Sequence, residues 1–169
     1  FLIEDASRFG LHWLMHHIPL LWRLHQLHHS ASTLTPLTLF RVHPLEAMLY
    51  YTRGALVFAA VSGCFIWLFG GQLSGWQILG VDALGFLFNV AAANLRHSHV
   101  WLSFGPVERF FVSPAQHQLH HSRDHGNANL GTCLALWDQL AGTYRRSSTR
   151  PTSLRFGLAE QGPGEHAAA

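Results

Sequence analysis

The sequence contains no lysine, so its 11 basic residues are all arginine, and only 9 of its 169 residues are acidic. Charged residues make up 12% of the chain, which is about half of the roughly 25% typical of soluble domains. The net charge of +2 is too small to predict a nucleic-acid partner. The two cysteines, Cys64 and Cys133, form no CxxC motif, so neither a disulfide framework nor a thiolate metal site is indicated.

Histidine and aromatic residues are abundant instead. The chain has 14 histidines, 12 phenylalanines and 6 tryptophans, and 49% of its residues are hydrophobic. A low charge fraction combined with this aromatic content indicates a membrane protein. The length is sufficient for one domain with a sizeable core. Because the chain begins at Phe1 and its motifs start by Asp5, we expect a fragment whose upstream part is missing.

The longest stretch without arginine or histidine is Gly54–Leu95. It divides into two apolar segments, Gly54–Gly70 and Trp76–Leu95, joined by the turn-like sequence Gly71–Gly75. About 20 apolar residues cross the roughly 30 Å of bilayer hydrocarbon, so the pattern predicts a transmembrane hairpin over about 54–95. The alternative, a helical hairpin buried in a soluble core, remains open.

Arginines flank the outer ends of this hairpin, at Arg53 and Arg96, whereas the linking turn is uncharged. The positive-inside rule therefore predicts that both ends, and every histidine, lie on the cytoplasmic side. Asp82 then requires a depth near the interface. The expected fold is an all-α integral membrane protein whose residues 1–146 combine this hairpin with a cytoplasmic helical, histidine-rich domain. Residues 147–169 form a polar tail that we expect to be disordered.

Local signals outside the hairpin also favour helices. Residues 6–24 are predicted to be helical, with a break or kink at Pro19, which lacks an N–H group. Residues 25–29 continue as a second helical stretch. Ser113 and Pro114 are typical of an N-cap followed by a first helical residue, and they predict a helix containing the last histidine cluster.

Nine histidines fall into spaced clusters. There is one HxxxH pair, two HxxHH boxes that share the sequence HQLHH, and a separate histidine: His12, His16, His25, His28, His29, His97, His117, His120 and His121. Residues three and four apart share a helix face, and imidazole is a ligand suited to Fe, Zn and Cu. Nine donors exceed the roughly six that one ion accepts, so the pattern predicts a two-metal site.

Carboxylates commonly orient metal-binding histidines by accepting their second N–H. Asp5 precedes His12 by seven residues and is expected on the same helical face, so it is the favoured candidate. Asp124 and Asp138 are further candidates, for which a solvated surface position remains equally open.

At this point the motifs resemble those of the fatty acid hydroxylase / sterol desaturase superfamily of membrane-bound histidine-box di-iron oxygenases. The resemblance extends from Asp5 to Tyr144. It rests on the three histidine boxes in order and on their flanks: Asp5, Pro19, Leu21–Arg23, His25–Ser30, Arg41–Glu46, Arg96–Val100, Ser113–Pro114, His117–Ser122 and Asn129–Tyr144.

The resemblance implies an enzyme that uses two iron ions and O2 to hydroxylate or desaturate a lipid C–H bond. It also implies an external electron donor, either cytochrome b5-like or a ferredoxin/reductase pair. Carried over by position, the nine clustered histidines would be the metal ligands, and zinc could replace iron in recombinant material. His43 is expected to be structural, whereas His99 and His125 remain open as additional ligands.

Two alternatives come from other functional classes. A metal-binding or metal-transporting membrane protein would place ionisable ligands near the bilayer midplane, but no histidine lies between Arg53 and Arg96. A zinc-dependent hydrolase on the same scaffold would need a general base, and the sequence has neither HExxH nor a glutamate within the boxes.

Overall fold

In the computed structural model, residues 1–70, 90, 95–147 and 154–158 are described, and their regular secondary structure is helical, with no named strand. The all-α prediction is therefore confirmed for these residues. The helices are α1 Leu2–His17, α2 Pro19–His29, α3 Pro44–Phe69, α4 Pro114–His121 and α5 Leu136–Ala141, with 3-10 turns at Pro36–Phe40 and Gly105–Arg109.

The break predicted at Pro19 separates α1 from α2. Ile18 between them has an extended backbone (φ −103°, ψ 116°), and Pro19 occupies the first turn of α2. Proline is tolerated there because the first helical N–H groups have no intrahelical partner. The two helices can therefore turn towards each other while each carries its own histidines.

Helix α3 is 26 residues long, or about 39 Å at 1.5 Å per residue. It starts well before the predicted apolar segment, and His43 caps it by accepting a hydrogen bond from the N–H of Leu45. His43 thus has the structural position expected from the sequence. Helix α1 packs against α3, where the Arg53 guanidinium contacts both carboxylate oxygens of Glu4 at 2.8 and 2.7 Å.

Among the described residues, α3 is the one helix long and apolar enough to cross a membrane, judged by length and composition. None of its most apolar 18-residue window is buried, and Leu56 and Trp67 are 66% and 82% exposed. The remainder of the predicted hairpin, the turn Gly71–Gly75 and nearly all of Trp76–Leu95, lies outside the described residues.

Helix α4 forms the centre of the folded domain, since all eight of its residues are buried. The predicted cap is confirmed: Ser113 Oγ accepts from the N–H of Gln116, and Gln116 Oε1 accepts from the N–H of Ser113. This reciprocal pair satisfies two N–H groups that a buried helix start would otherwise leave unpaired. Helix α4 is therefore anchored rigidly where its histidines are needed.

Of the C-terminal segment 147–169, only Ser147 and residues 154–158 are described. The latter return to the domain, where the Arg155 carbonyl accepts from the N–H of Arg123 and the Arg155 guanidinium pairs with Asp124. The disorder predicted for the rest of this segment concerns residues outside the described ones.

Candidate metal centre

The fold brings all nine clustered histidines together in two adjacent groups. Within each group the candidate ligand atoms lie within 4.8 Å of one another. Site 1 comprises His12, His16, His25, His29 and His120, and site 2 comprises His28, His97, His117 and His121. The sites adjoin each other, because the rings of His29 and His121 stack at 4.5 Å.

Each HxxHH box divides its histidines between the two sites. In the first box, His25 and His29 belong to site 1 and His28 belongs to site 2. In the second box the assignment is reversed: His117 and His121 belong to site 2 and His120 belongs to site 1. Residues i and i+4 lie about 40° apart around a helix, whereas i+3 lies about 60° to the other side of i. Two facing helices can therefore each contribute a pair to one site and a single ring to the other.

The imidazole nitrogens face one another at distances suited to a shared cation. Nε2 of His12 lies 3.1 Å from Nε2 of His25, and Nε2 of His97 lies 3.1 Å from that of His28 and 3.3 Å from that of His117. Ligands at right angles with metal–nitrogen bonds of about 2.1 Å would be roughly 3 Å apart. The spacing therefore fits imidazoles arranged around metal ions.

Backbone carbonyls and one carboxylate orient several of these rings. Nδ1 of His12 donates to the carbonyl of Leu130 (2.7 Å), and Nδ1 of His120 donates to that of Ala128 (3.1 Å). A carbonyl oxygen can only accept, so Nδ1 carries the proton and Nε2 keeps its lone pair. Such outer partners fix the tautomer and ring orientation of a metal ligand.

The carboxylate in this role is Glu46, which the sequence analysis did not single out. Its Oε1 lies 2.7 Å from Nδ1 of His25, and both side chains are buried. The available signal was a carboxylate in the RVHPLE segment, at the first turn of a helix otherwise poor in charge. Local spacing could not identify His25 as its partner, because the two residues are 21 positions apart in the sequence.

The prediction that Asp5 orients a site histidine is wrong. Asp5 shares the α1 face with His12, but its carboxylate accepts from the N–H groups of Cys133 and Leu134 and from Nε1 of Trp137. The seven-residue spacing fixes the face of the helix and leaves open which neighbour that face meets. Asp5 therefore attaches α1 to the segment before α5.

The two other carboxylate candidates also contact no site histidine in the described hydrogen bonds. Asp138 accepts from the N–H groups of Leu130 and Gly131 at 2.7 and 2.9 Å, so it supports the loop whose Leu130 carbonyl orients His12. Asp124 pairs with Arg155 near the surface. Asp138 acts indirectly on the site, and Asp124 is the surface residue that the sequence left open.

The two histidines left open as extra ligands lie outside both groups. His99 is exposed, and His125 is half-buried beside the sites. Within the described residues, the histidine clusters contain the nine predicted rings and neither of these two.

Burial lowers the pKa of seven of the nine clustered histidines and favours their neutral form. Desolvation, and then the neighbouring His25, lowers the pKa of His16 to about 3. Burial likewise lowers the pKa of His12, His28, His29, His117, His120 and His121 well below the usual value, and neighbouring imidazoles add to the effect. Neutral imidazole is the form that binds a metal.

Several of the ring nitrogens in these groups would lower the stability of the fold if no cation were bound to them. Nε2 atoms of His16, His29 and His120 have no hydrogen-bond partner among the described residues. A buried polar atom left without a partner is destabilising by roughly 1–3 kcal/mol. A set of converging lone pairs without a donor fits metal ions bound between them.

Curated proteins from several organisms are similar in sequence to most of this chain. The ornithine lipid hydroxylase of Rhizobium tropici is 31% identical over 159 residues, covering 93% of this chain and 44% of that protein. The alkylglycerol monooxygenase of Homo sapiens is 26% identical over 152 residues, covering 89% and 31% respectively. A very-long-chain aldehyde decarbonylase of Oryza sativa subsp. japonica is 25% identical over 146 residues, covering 85% and 52%.

The chain thus spans between 31% and 52% of the length of these curated relatives. No solved structure gives a significant match. The family model described as fatty acid hydroxylase matches residues 1–143, which contain all nine clustered histidines. The chain belongs to the fatty acid hydroxylase family.

Proposed function

We propose that the protein is a membrane-bound di-iron oxidoreductase that uses O2 to hydroxylate or desaturate a C–H bond of a lipid. The observation that carries this proposal is the division of nine converging histidines, seven of them buried, into two adjacent groups. Five and four nitrogen donors leave open positions in a six-coordinate ion at each site. Relatives named as a lipid hydroxylase and a monooxygenase support the same reaction class.

The two iron ions, when bound, would supply the redox chemistry that activates O2. Hydroxylation consumes O2, two electrons and two protons; one oxygen atom enters the new C–OH group and the other leaves as water. Desaturation with the same inputs removes two hydrogens from adjacent carbons and releases two waters. An external donor, cytochrome b5-like or a ferredoxin/reductase pair, would deliver the electrons.

The protein contributes orientation and exclusion of water. Hydrogen bonds from Nδ1 of His12, His25 and His120 hold these rings so that Nε2 faces the interior of site 1, where it would bind a metal ion. The complete burial of α4 shields the second histidine box from solvent. Fixed donors in a dry site limit side reactions of reactive oxygen chemistry.

Contacts of α1 and α3 support a proposal for the position of the membrane. Glu4 meets Arg53, while Glu46, seven residues earlier on α3, lies beside His25. Seven residues correspond to about 10 Å along a helix. We infer that α3 beyond Arg53 spans the bilayer as half of a hairpin, with the metal centre about 10 Å outside the hydrocarbon, on the cytoplasmic side.

The test is metal analysis combined with lipid analysis on the full-length protein. Anaerobically purified protein should contain close to two metal ions per chain, with iron in the native state. Supplied with O2 and an electron donor, the protein should convert its lipid substrate into a product of different mass. Hydroxylation adds one oxygen atom, about 16 Da, and desaturation removes two hydrogen atoms, about 2 Da. A reproducible content of one metal ion would contradict the dinuclear centre, and unchanged lipids would contradict the oxidation.

A further inference from the structure

A cleft of about 660 Å³ opens directly onto the metal centre. Its inner wall includes the rings of His16 and His29 from site 1 and of His121 from site 2. Its outer wall comes from the loop after α4, from residues 142–145 and from Gly157 and Leu158. Clefts of 300–1,000 Å³ are typical of small-molecule sites, so a ligand in this one would reach both histidine groups.

Most of the side chains that line the cleft carry a polar or charged group. Trp22 and Leu158 are the large apolar side chains among the lining residues, which otherwise include Arg123, His125, Tyr144 and Arg145. Burying such groups against a lipid tail would remove them from water without hydrogen bonds in return. A polar head group can replace those hydrogen bonds.

The charges of the lining favour an anion. Asp124 is paired with Arg155 at 3.0 Å, and Arg123 uses its Nε to donate to the carbonyls of Phe156 and Gly157. Within the described residues, the Arg145 guanidinium has no ion-pair partner; the backbone N–H of Arg145 is held by Asn129. The cleft is therefore lined by a residue whose backbone is anchored and whose positive charge has no ion-pair partner among the described residues.

We propose that this cleft binds the anionic head group of the lipid substrate, a carboxylate or a phosphate, with Arg145 as a principal binding residue. This inference rests on the proposed lipid oxidation and adds the substrate class to it. A head group held against His16, His29 and His121 would present a C–H bond close to the head group to the metal centre. The distal part of the acyl chain would extend out of the cleft.

The experiment measures binding without turnover, in full-length protein loaded with zinc and placed in neutral nanodiscs. Two matched ligand pairs serve as probes: hexadecanoate against hexadecanol, and lysophosphatidic acid against monoacylglycerol. Arg145→Ala should weaken binding of the anionic member of at least one pair about tenfold or more, as expected for loss of a charge-assisted hydrogen bond. The neutral member of that pair should be unaffected, and Arg145→Lys should recover part of the affinity.

Arg146→Ala is the matched control, since Arg146 is the adjacent exposed arginine and does not line the cleft. The pair that responds identifies carboxylate or phosphate as the recognised group. Equal effects on anionic and neutral ligands, no effect of Arg145→Ala, or the same effect for Arg146→Ala would each overturn the inference. Because no oxidation is measured, selective binding can persist even if the proposed reaction fails, so the two failures are distinguishable.

Discussion

Nδ1 of His25 lies 2.7 Å from Oε1 of Glu46, and the two side chains are each 3% exposed. This pair joins the first HxxHH box on α2 to the start of α3, the helix that continues into the apolar segment. The carboxylate fixes the direction of the His25 ring, whose Nε2 faces His12 across site 1. One contact thus connects the candidate membrane helix with the candidate metal centre.

Replacing Glu46 with glutamine should weaken metal binding at site 1. The amide keeps the shape but loses the negative charge that strengthens the His25 hydrogen bond, and loss of such outer partners typically lowers metal affinity 10–100-fold. Metal retention during a chelator challenge should fall at one of the two sites first. Glu4→Gln is the control, because Glu4 pairs with Arg53 away from both sites; unchanged retention in Glu46→Gln would contradict the prediction.

Single histidine substitutions should separate the two sites. His120→Ala removes a site 1 donor and His28→Ala a site 2 donor, so each variant should retain close to one metal ion and lose oxidation. Insertion in the membrane should persist, since neither residue lies in the apolar segment. Metal content and product formation are the measurements.

His17→Ala is the matched control for these variants. His17 is on α1 with two site histidines, but it is exposed and its ring stacks on Trp13. His166→Ala, outside the described residues, should likewise be silent. Full activity in His28→Ala or His120→Ala would remove that residue from the proposed ligand set.

The loop that orients His12 should not accept an added methyl group. A Cβ at Gly131 would lie 2.6 Å from Oδ2 of Asp138 and 3.0 Å from the carbonyl of Leu134. Overpacking of this kind destabilises by about 1–3 kcal/mol, and here it would also displace Asp138 from the N–H of Leu130. Thermal unfolding in detergent should show a lower midpoint for Gly131→Ala.

Gly10→Ala is the contrasting variant. A Cβ there meets nothing within 4 Å in the middle of α1, so alanine should be neutral or stabilise by up to about 1 kcal/mol. Similar destabilisation by both substitutions would show that the Asp138 contact is not the cause.

Metal-free protein should lose stability as the pH falls below about 6.5. Burial lowers the folded-state pKa of His16 to about 3, so between these values the unfolded chain binds more protons than the folded one. Stability then decreases with falling pH by about 1.4 kcal/mol per pH unit for each such histidine, and it is constant above 6.5. Chemical denaturation from pH 7.5 to 5 measures this slope; a flat profile would contradict neutral, buried imidazoles.

The hairpin predicts a defined membrane topology. In a background without Cys64 and Cys133, a cysteine at Gln72 should react with an impermeant thiol reagent from outside the cell. A cysteine at Ser32, which is exposed in the histidine domain, should react only after the membrane is opened. Labelling of both positions from the same side would contradict two spans and favour the soluble hairpin.

Much of the local structure could be predicted from the sequence because it depends on neighbours a few residues apart. Proline interrupts a helix beyond its first turn, so the helical segment breaks at Pro19 and a new helix begins there. Ser113 followed by Pro114 likewise starts α4. Spacings of three and four put the histidines of each box on neighbouring helix faces. The identity of the nine clustered histidines, and the apolar character of α3, were therefore evident without coordinates.

Only the tertiary structure decided which histidines share a site and what orients them. Because α2 and α4 face each other, His28 of the first box lies in site 2 and His120 of the second box lies in site 1. The spacing of the histidines alone leaves this arrangement open. His12 finds its carbonyl 118 positions away, at Leu130, and Asp5 is used by residues near α5. Such partners depend on how helices pack across the whole chain, and the orienting hydrogen bonds follow from that packing.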